Sequence, residues 1–230
     1  MDASPERCLM RNATPSLGHA GAMPRLLPVV VFTAVIMLLT KVAPPIALTS
    51  TGLQAGETWR LFTHAWLHVS NYHALLDAGA FAMLLGMMPN KGMRARLAIT
   101  IGGILGGALV GMLDPAFGAA GLCGLSAAAH GLMAVVITDR IRERHHKRLS
   151  TAPECIAMGI LLAKCGLEAL TGGTILTPFH IGNIGRPNAT CHIGGVIGAL
   201  AIAEAIRYAR AHLRSHAPSR SAPHSSTPLE

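Results

Sequence analysis

Two residues of this chain could together activate a nucleophile: Ser126, set among small residues, and His192, which opens a glycine-spaced apolar run. A serine hydroxyl is unreactive until a base accepts its proton, and imidazole does this near neutral pH. Ser126 stands in Gly121-Leu-Cys-Gly-Leu-Ser-Ala-Ala-Ala-His130-Gly131, where Gly124 and the alanines let other backbone come close to the hydroxyl. His192 is followed by Gly194 and Gly195, which allow its helix to approach that of Ser126. A tetrahedral intermediate on Ser126 would need hydrogen-bond donors. The Ser126 backbone N–H and His73 are the candidates, and His73 shares a helix face with Asp77 at i, i+4. No acidic residue is evidently placed to orient His192, so the expected arrangement is a dyad. Serine also has a bland use in apolar helices, bonding to a carbonyl of its own previous turn. The hydroxyl therefore matters only through its partners.

Composition indicates what must hold these residues. The 230 residues are 51% hydrophobic and 13% charged, against about 25% charged in a soluble domain. The net charge of +8 would suit nucleic acid, but the basic residues are interrupted by long apolar stretches, and a lipid bilayer is the expected partner instead. A membrane helix needs about 20 apolar residues. Six runs approach this: 26–48, 73–88, 97–113, 122–138, 153–170 and 191–208. Basic residues mark every second connection: Arg7, Arg11 and Arg25; Lys91, Arg94 and Arg96; Arg140, Arg142, Arg144, Lys147 and Arg148; Arg207, Arg210, Arg214 and Arg220. The other connections hold only Arg60 and Arg186. The positive-inside rule then puts both termini in the cytoplasm.

The expected fold is an all-α membrane protein of six transmembrane helices. A cytoplasmic tail over 1–25 precedes the membrane domain of 26–208, and a disordered tail over 209–230 follows it. The N-terminus lacks the apolar core of a cleavable signal. In this topology Ser126, His192 and the His73–Asp77 pair all lie near the outer face, with His64 and His68 in the connection before them. Polar side chains at membrane depth are costly and usually functional. Small-xxx-small faces, such as Gly102/Gly106 and Gly194/Gly198, predict close helix packing. Lys164 and Glu168, one turn apart, read as a self-compensating pair. The five cysteines form no regular spacing, and a Cys123–Cys191 bridge stays open.

These motifs together resemble the rhomboid family of intramembrane serine proteases, over Glu57 to Ala203. Trp59-Arg60-Leu-Phe-Thr-His64-Ala-Trp-Leu-His68 resembles the family's first outer loop, and Gly124-Leu125-Ser126-Ala127 its nucleophile motif. His192-Ile-Gly-Gly195-Val-Ile-Gly198 resembles its sixth helix, and His73-Ala-Leu-Leu-Asp77 stands at its HxxxN motif. The resemblance implies cleavage of single-pass transmembrane proteins without cofactor or metal, with Ser126 as nucleophile and His192 as base. His73, Asp77 and Gly124 would serve the oxyanion and substrate. It further implies a bacterial inner membrane with the site toward the periplasm, and an outer loop partly within the bilayer. His130, Lys164 and Glu168 are similar to the rhombosortase branch, whose substrates carry a C-terminal sorting helix.

Asp77 departs from the family's Asn. It would donate to the oxyanion only if protonated; otherwise it orients His73, or activity is weak. An inactive rhomboid-like protein that binds membrane helices is the alternative reading. A haem or metal protein using His64, His68, His73, His130 and His192 is the third.

Overall fold

Each apolar run becomes a helix. The computed structural model describes residues 23–42, 47–88, 91–175, 181–185 and 188–216. The chain before 23, the Pro44-Pro45 pair, Arg186 and the chain after 216 lie outside the described residues. The elements in order are α1 (Met23–Val42), α2 (Ser50–Gln54), α3 (Arg60–Thr63), a 3-10 turn (His64–Trp66), α4 (Asn71–Gly86), α5 (Met93–Gly111), α6 (Phe117–Ala120), α7 (Ser126–His146), α8 (Ala152–Thr171) and α9 (Thr190–Ser215). Among the described residues there is no strand, only an isolated antiparallel bridge between Leu48 and Leu122.

α5 and α9 form the tightest pair, and glycine is the reason. A Cβ on Gly194 would strike the Gly106 carbonyl, and one on Gly198 the Gly102 carbonyl. On the other side of α9, a Cβ on Gly195 would strike the carbonyl of Ala127 on α7. The expected small-residue faces are therefore where backbones meet. Leu125, Leu132, Val135 and Ile99 fill the centre, while Val31, Val35, Leu97, Ile101, Ile156 and Ile160 are exposed around the outside. Apolar side chains both within and around a bundle suit hydrocarbon, not water. α5 and α9 are long and apolar enough to cross a bilayer. The protein is an all-α membrane protein.

Charge collects at one end. Lys91 Nζ lies 2.8 Å from Asp139 Oδ2, and Arg207 donates to Asp139 Oδ1 at 3.1 Å. Arg142 donates to both Glu204 oxygens. Asp139 is 13 residues beyond Ser126 on α7, about 20 Å at the rise of a helix.

Several boundaries differ from expectation, among them the end of α7, which passes Thr138 and reaches His146. The fourth run is not helical from Leu122, because Gly121 and Gly124 take φ of +65° and +101°, left-handed values that a right-handed helix excludes. The final helix does not stop at Tyr208 but runs to Ser215. Ala, Arg and Leu there favour helix, and the basic residues suit its C-terminal dipole.

Candidate active site

Ser126 is the first residue of α7, so its backbone N–H is one of the four that lack an intrahelical acceptor. The extended segment leading to it is stitched to the 47–70 loop. Leu48 and Leu122 exchange backbone hydrogen bonds of 2.9 and 2.8 Å. The Gly124 N–H donates to the His64 carbonyl at 3.1 Å, and the Leu125 N–H reaches His68 Nε2 at 3.4 Å. Arg60 ties the loop down in turn, donating to the Ala47 carbonyl at 2.8 Å and to Glu57 at 2.7 Å. Because Gly124 is left-handed, the chain turns sharply into α7 and brings the first helical residue to the loop. A polar loop thus fixes the start of an apolar helix.

His192 sits in the first turn of α9. The entry to α9 is fixed by Asn188, which donates to the Gly111 carbonyl at 2.9 Å, and by Thr190, which donates to Asp114 at 3.0 Å. His192 is buried, and its Nδ1 lies 2.9 Å from Glu168 Oε2. The expected two-member arrangement therefore has a third neighbour, from α8. Glu168 is fully buried, and its Oε2 also accepts from Lys164 Nζ at 2.7 Å, while Oε1 accepts from the Ile175 N–H at 3.2 Å. Lys164 Nζ reaches His130 Nε2 at 3.0 Å, and His130 Nδ1 donates to the Ser126 carbonyl at 2.7 Å. The His130 and His192 rings stack with centroids 4.1 Å apart.

α4 supplies the opposite wall. The Ser70 cap accepts from the His73 N–H at 3.0 Å, which sets His73 in the first turn. Asp77 Oδ2 lies 3.1 Å from His73 Nε2 and 3.5 Å from His68 Nε2. Gly124 abuts this pair: a Cβ there would come within 2.8 Å of Asp77 Oδ2. The carboxyl oxygen nearest Gly124 is thus the one that lies within ion-pair distance of two imidazoles.

Ser126, His192, His73, Asp77, Glu168, Lys164 and His130 all line one cavity of about 530 Å³. Among the described residues no hydrogen bond joins the Ser126 hydroxyl to His192; such contacts often close only around substrate. His64 and His68 do not pair on one helix face. His64 Nδ1 bonds to the Arg60 carbonyl, and His68 follows the 3-10 turn and faces Asp77. His130, Glu168 and His192 are close enough to share a cation, but the Lys164 amine already meets two of them. Cys123 and Cys191 are both free thiols.

Sequence reasoning missed the contact between Glu168 and His192. The signal was a carboxylate deep in an apolar helix, which needs a partner, but its neighbour Lys164 was a sufficient one. The family model described as Rhomboid domain matches residues 55–209, and no curated protein matches the chain. The chain belongs to the rhomboid family.

Proposed function

We propose that this rhomboid-family chain is an intramembrane serine endopeptidase acting on single-pass transmembrane proteins, with Ser126 as nucleophile and His192 as general base. The observation that carries this reading is that Ser126 and His192, 66 positions apart in the sequence, line one cavity. His192 Nδ1 faces Glu168 there, which leaves Nε2 as the nitrogen for the serine proton.

In the reaction, Nε2 takes the Oγ proton as Oγ bonds to the scissile carbonyl carbon. The resulting oxyanion meets the Ser126 N–H at the positive end of α7. Nε2 then returns its proton to the leaving amine as the C–N bond breaks. Water, activated by the same nitrogen, hydrolyses the acyl ester.

Six spans with both termini cytoplasmic fit the apolar runs and the basic end built around Lys91, Asp139 and Arg207. The cavity then faces the outer side, which is the periplasm if the membrane is a bacterial inner one. The likeness of His130, Lys164 and Glu168 to the rhombosortase branch favours substrates with a C-terminal sorting helix.

Labelling with a fluorophosphonate tests the dyad. Wild type should be modified at Ser126, and Ser126→Ala and His192→Ala should not be. The second reading, an inactive helix-binding protein, is favoured by Asp77 in place of the family's Asn. Folded wild type that ignores the probe yet co-purifies with membrane helices would establish it.

A further inference from the structure

We infer that Glu168 is a positioning residue for His192, the third member of a Ser126–His192–Glu168 relay, and that Lys164 and His130 hold it in place. The inference rests on the protease reading above and goes beyond its dyad.

The donors and acceptors fit together in a single way. A carbonyl oxygen only accepts, so the His130 Nδ1 facing the Ser126 carbonyl at 2.7 Å carries a proton. Its Nε2 is then the acceptor for Lys164 Nζ at 3.0 Å. Lys164 donates again to Glu168 Oε2 at 2.7 Å, and the same oxygen receives His192 Nδ1 at 2.9 Å. The other carboxylate oxygen is taken by the Ile175 N–H. An ionised carboxylate only accepts, whatever Lys164 donates to it, so His192 Nδ1 must be the donor in its bond to Glu168. The chain of bonds ends with His192 protonated at Nδ1 and with its lone pair at Nε2, as a base toward Ser126 requires.

Two competing readings of this cluster are weaker. A pair that only compensates itself would need no contact beyond Lys164 to Glu168. Here the carboxylate oxygen that meets Lys164 is the one that meets His192. A metal bound by His130, Glu168 and His192 would need the lone pairs to which Lys164 now donates, and would displace that side chain. The stacked ring of His130, 11° from parallel to His192, restricts rotation of the base as well.

When Ser126 Oγ attacks an electrophile, its proton passes to His192 Nε2 while the Nδ1 proton stays in place. Glu168 then faces an imidazolium through the bond it already makes. With a fluorophosphonate, the Oγ–P bond forms and the P–F bond breaks, fluoride leaving with the electron pair. This reads the same proton transfer without any natural substrate.

The test is the rate of fluorophosphonate modification of the purified full-length protein, resolved into its maximal rate and its half-saturating probe concentration. Glu168→Gln keeps the volume but presents an amide that can favour the wrong tautomer. An amide in place of a triad carboxylate lowers turnover about 10⁴-fold elsewhere. The expected loss of maximal rate here is about 100-fold or more, with half-saturation within about twofold. Glu168→Asp, which keeps the charge on a shorter arm, should recover at least about tenfold of that loss.

The double variant Glu168→Gln/Lys164→Met removes both charges and leaves no unbalanced one buried. If Glu168 orients His192, the double variant stays as slow as Glu168→Gln. Recovery to near the wild-type rate would overturn the inference, showing that the carboxylate only neutralises Lys164. Should Glu168→Gln fail to fold, the charge-balanced double variant carries the test alone. Wild type that does not react at Ser126 would instead sink the protease reading itself, an outcome distinct from an unchanged rate in the Glu168 variants.

Discussion

The two walls of the cavity treat their polar atoms differently. On the α7–α8–α9 wall, His130, Lys164, Glu168 and His192 form a continuous hydrogen-bonded chain. On the α4 wall, His68 Nδ1, His73 Nδ1 and Asp77 Oδ2 are buried without an aligned hydrogen-bond partner among the described residues. Asp77 Oδ2 is near two imidazoles, but at ion-pair distance and not in hydrogen-bond alignment. A buried unsatisfied polar atom costs about 1–3 kcal/mol. The first wall is thus fixed before substrate arrives, whereas the second still has bonds to gain. A base must have its tautomer set in advance. An oxyanion site can be completed by the substrate or by water.

The largest expected effect falls on the fixed wall. Ser126→Ala and His192→Ala should each lower cleavage by about 10⁴-fold or more, measured as product from a single-helix reporter, with yield and melting temperature near wild type. Residual activity well above that would mean that another group attacks.

Gly124→Ala strikes where the walls meet. Its φ of +101° and the 2.8 Å approach to Asp77 impose strain of about 1–3 kcal/mol, together with pressure on α4. Activity should fall by about 10- to 100-fold, with a lower melting temperature. An unaffected Gly124→Ala would show that the open wall tolerates displacement.

Asp77→Asn sharpens the contrast. The amide keeps an oxygen toward His73 and can also donate to an oxyanion, so the rate should stay within about tenfold of wild type and rise rather than fall. Damage as severe as that expected for Glu168→Gln would erase the difference between the walls.

The smallest effect concerns His64, behind the open wall, whose imidazole burial holds below the usual histidine value. As pH falls through about 6.5, the unfolded chain takes up a proton that folded His64 does not. This part of stability is complete above that pH and is lost below it, with a slope of at most about 1.4 kcal/mol per pH unit. A melting series from pH 8 to 5 should show a shallower loss in His64→Asn than in wild type. Identical slopes would contradict the burial account.

Much of this architecture was legible from residue type and spacing. The apolar runs gave the long helices, and Gly194, Gly195 and Gly198 gave the faces where backbones touch. Ser126 near the head of its helix followed from the apolar run that begins at Leu122, although Gly121 and Gly124 start that helix later than hydropathy alone suggests. Glu168 was different. A charge one turn from its opposite looks complete along the chain, and only the packing of α8 beside α9 brings in His192, 24 residues later. The same holds for His130, whose stacking on His192 joins two helices whose sequence spacing carries no signal. Contacts within one helix are written locally; contacts among three are not.

The central claim is that this chain cuts membrane helices through Ser126. The most direct measurement is cleavage of a reporter with a single C-terminal transmembrane helix, co-expressed with wild type or with Ser126→Ala. The account predicts a shortened reporter with wild type only, the new terminus lying in or beside the helix. A full-length reporter across a panel of such helices, with folded wild type present in the membrane, would contradict it.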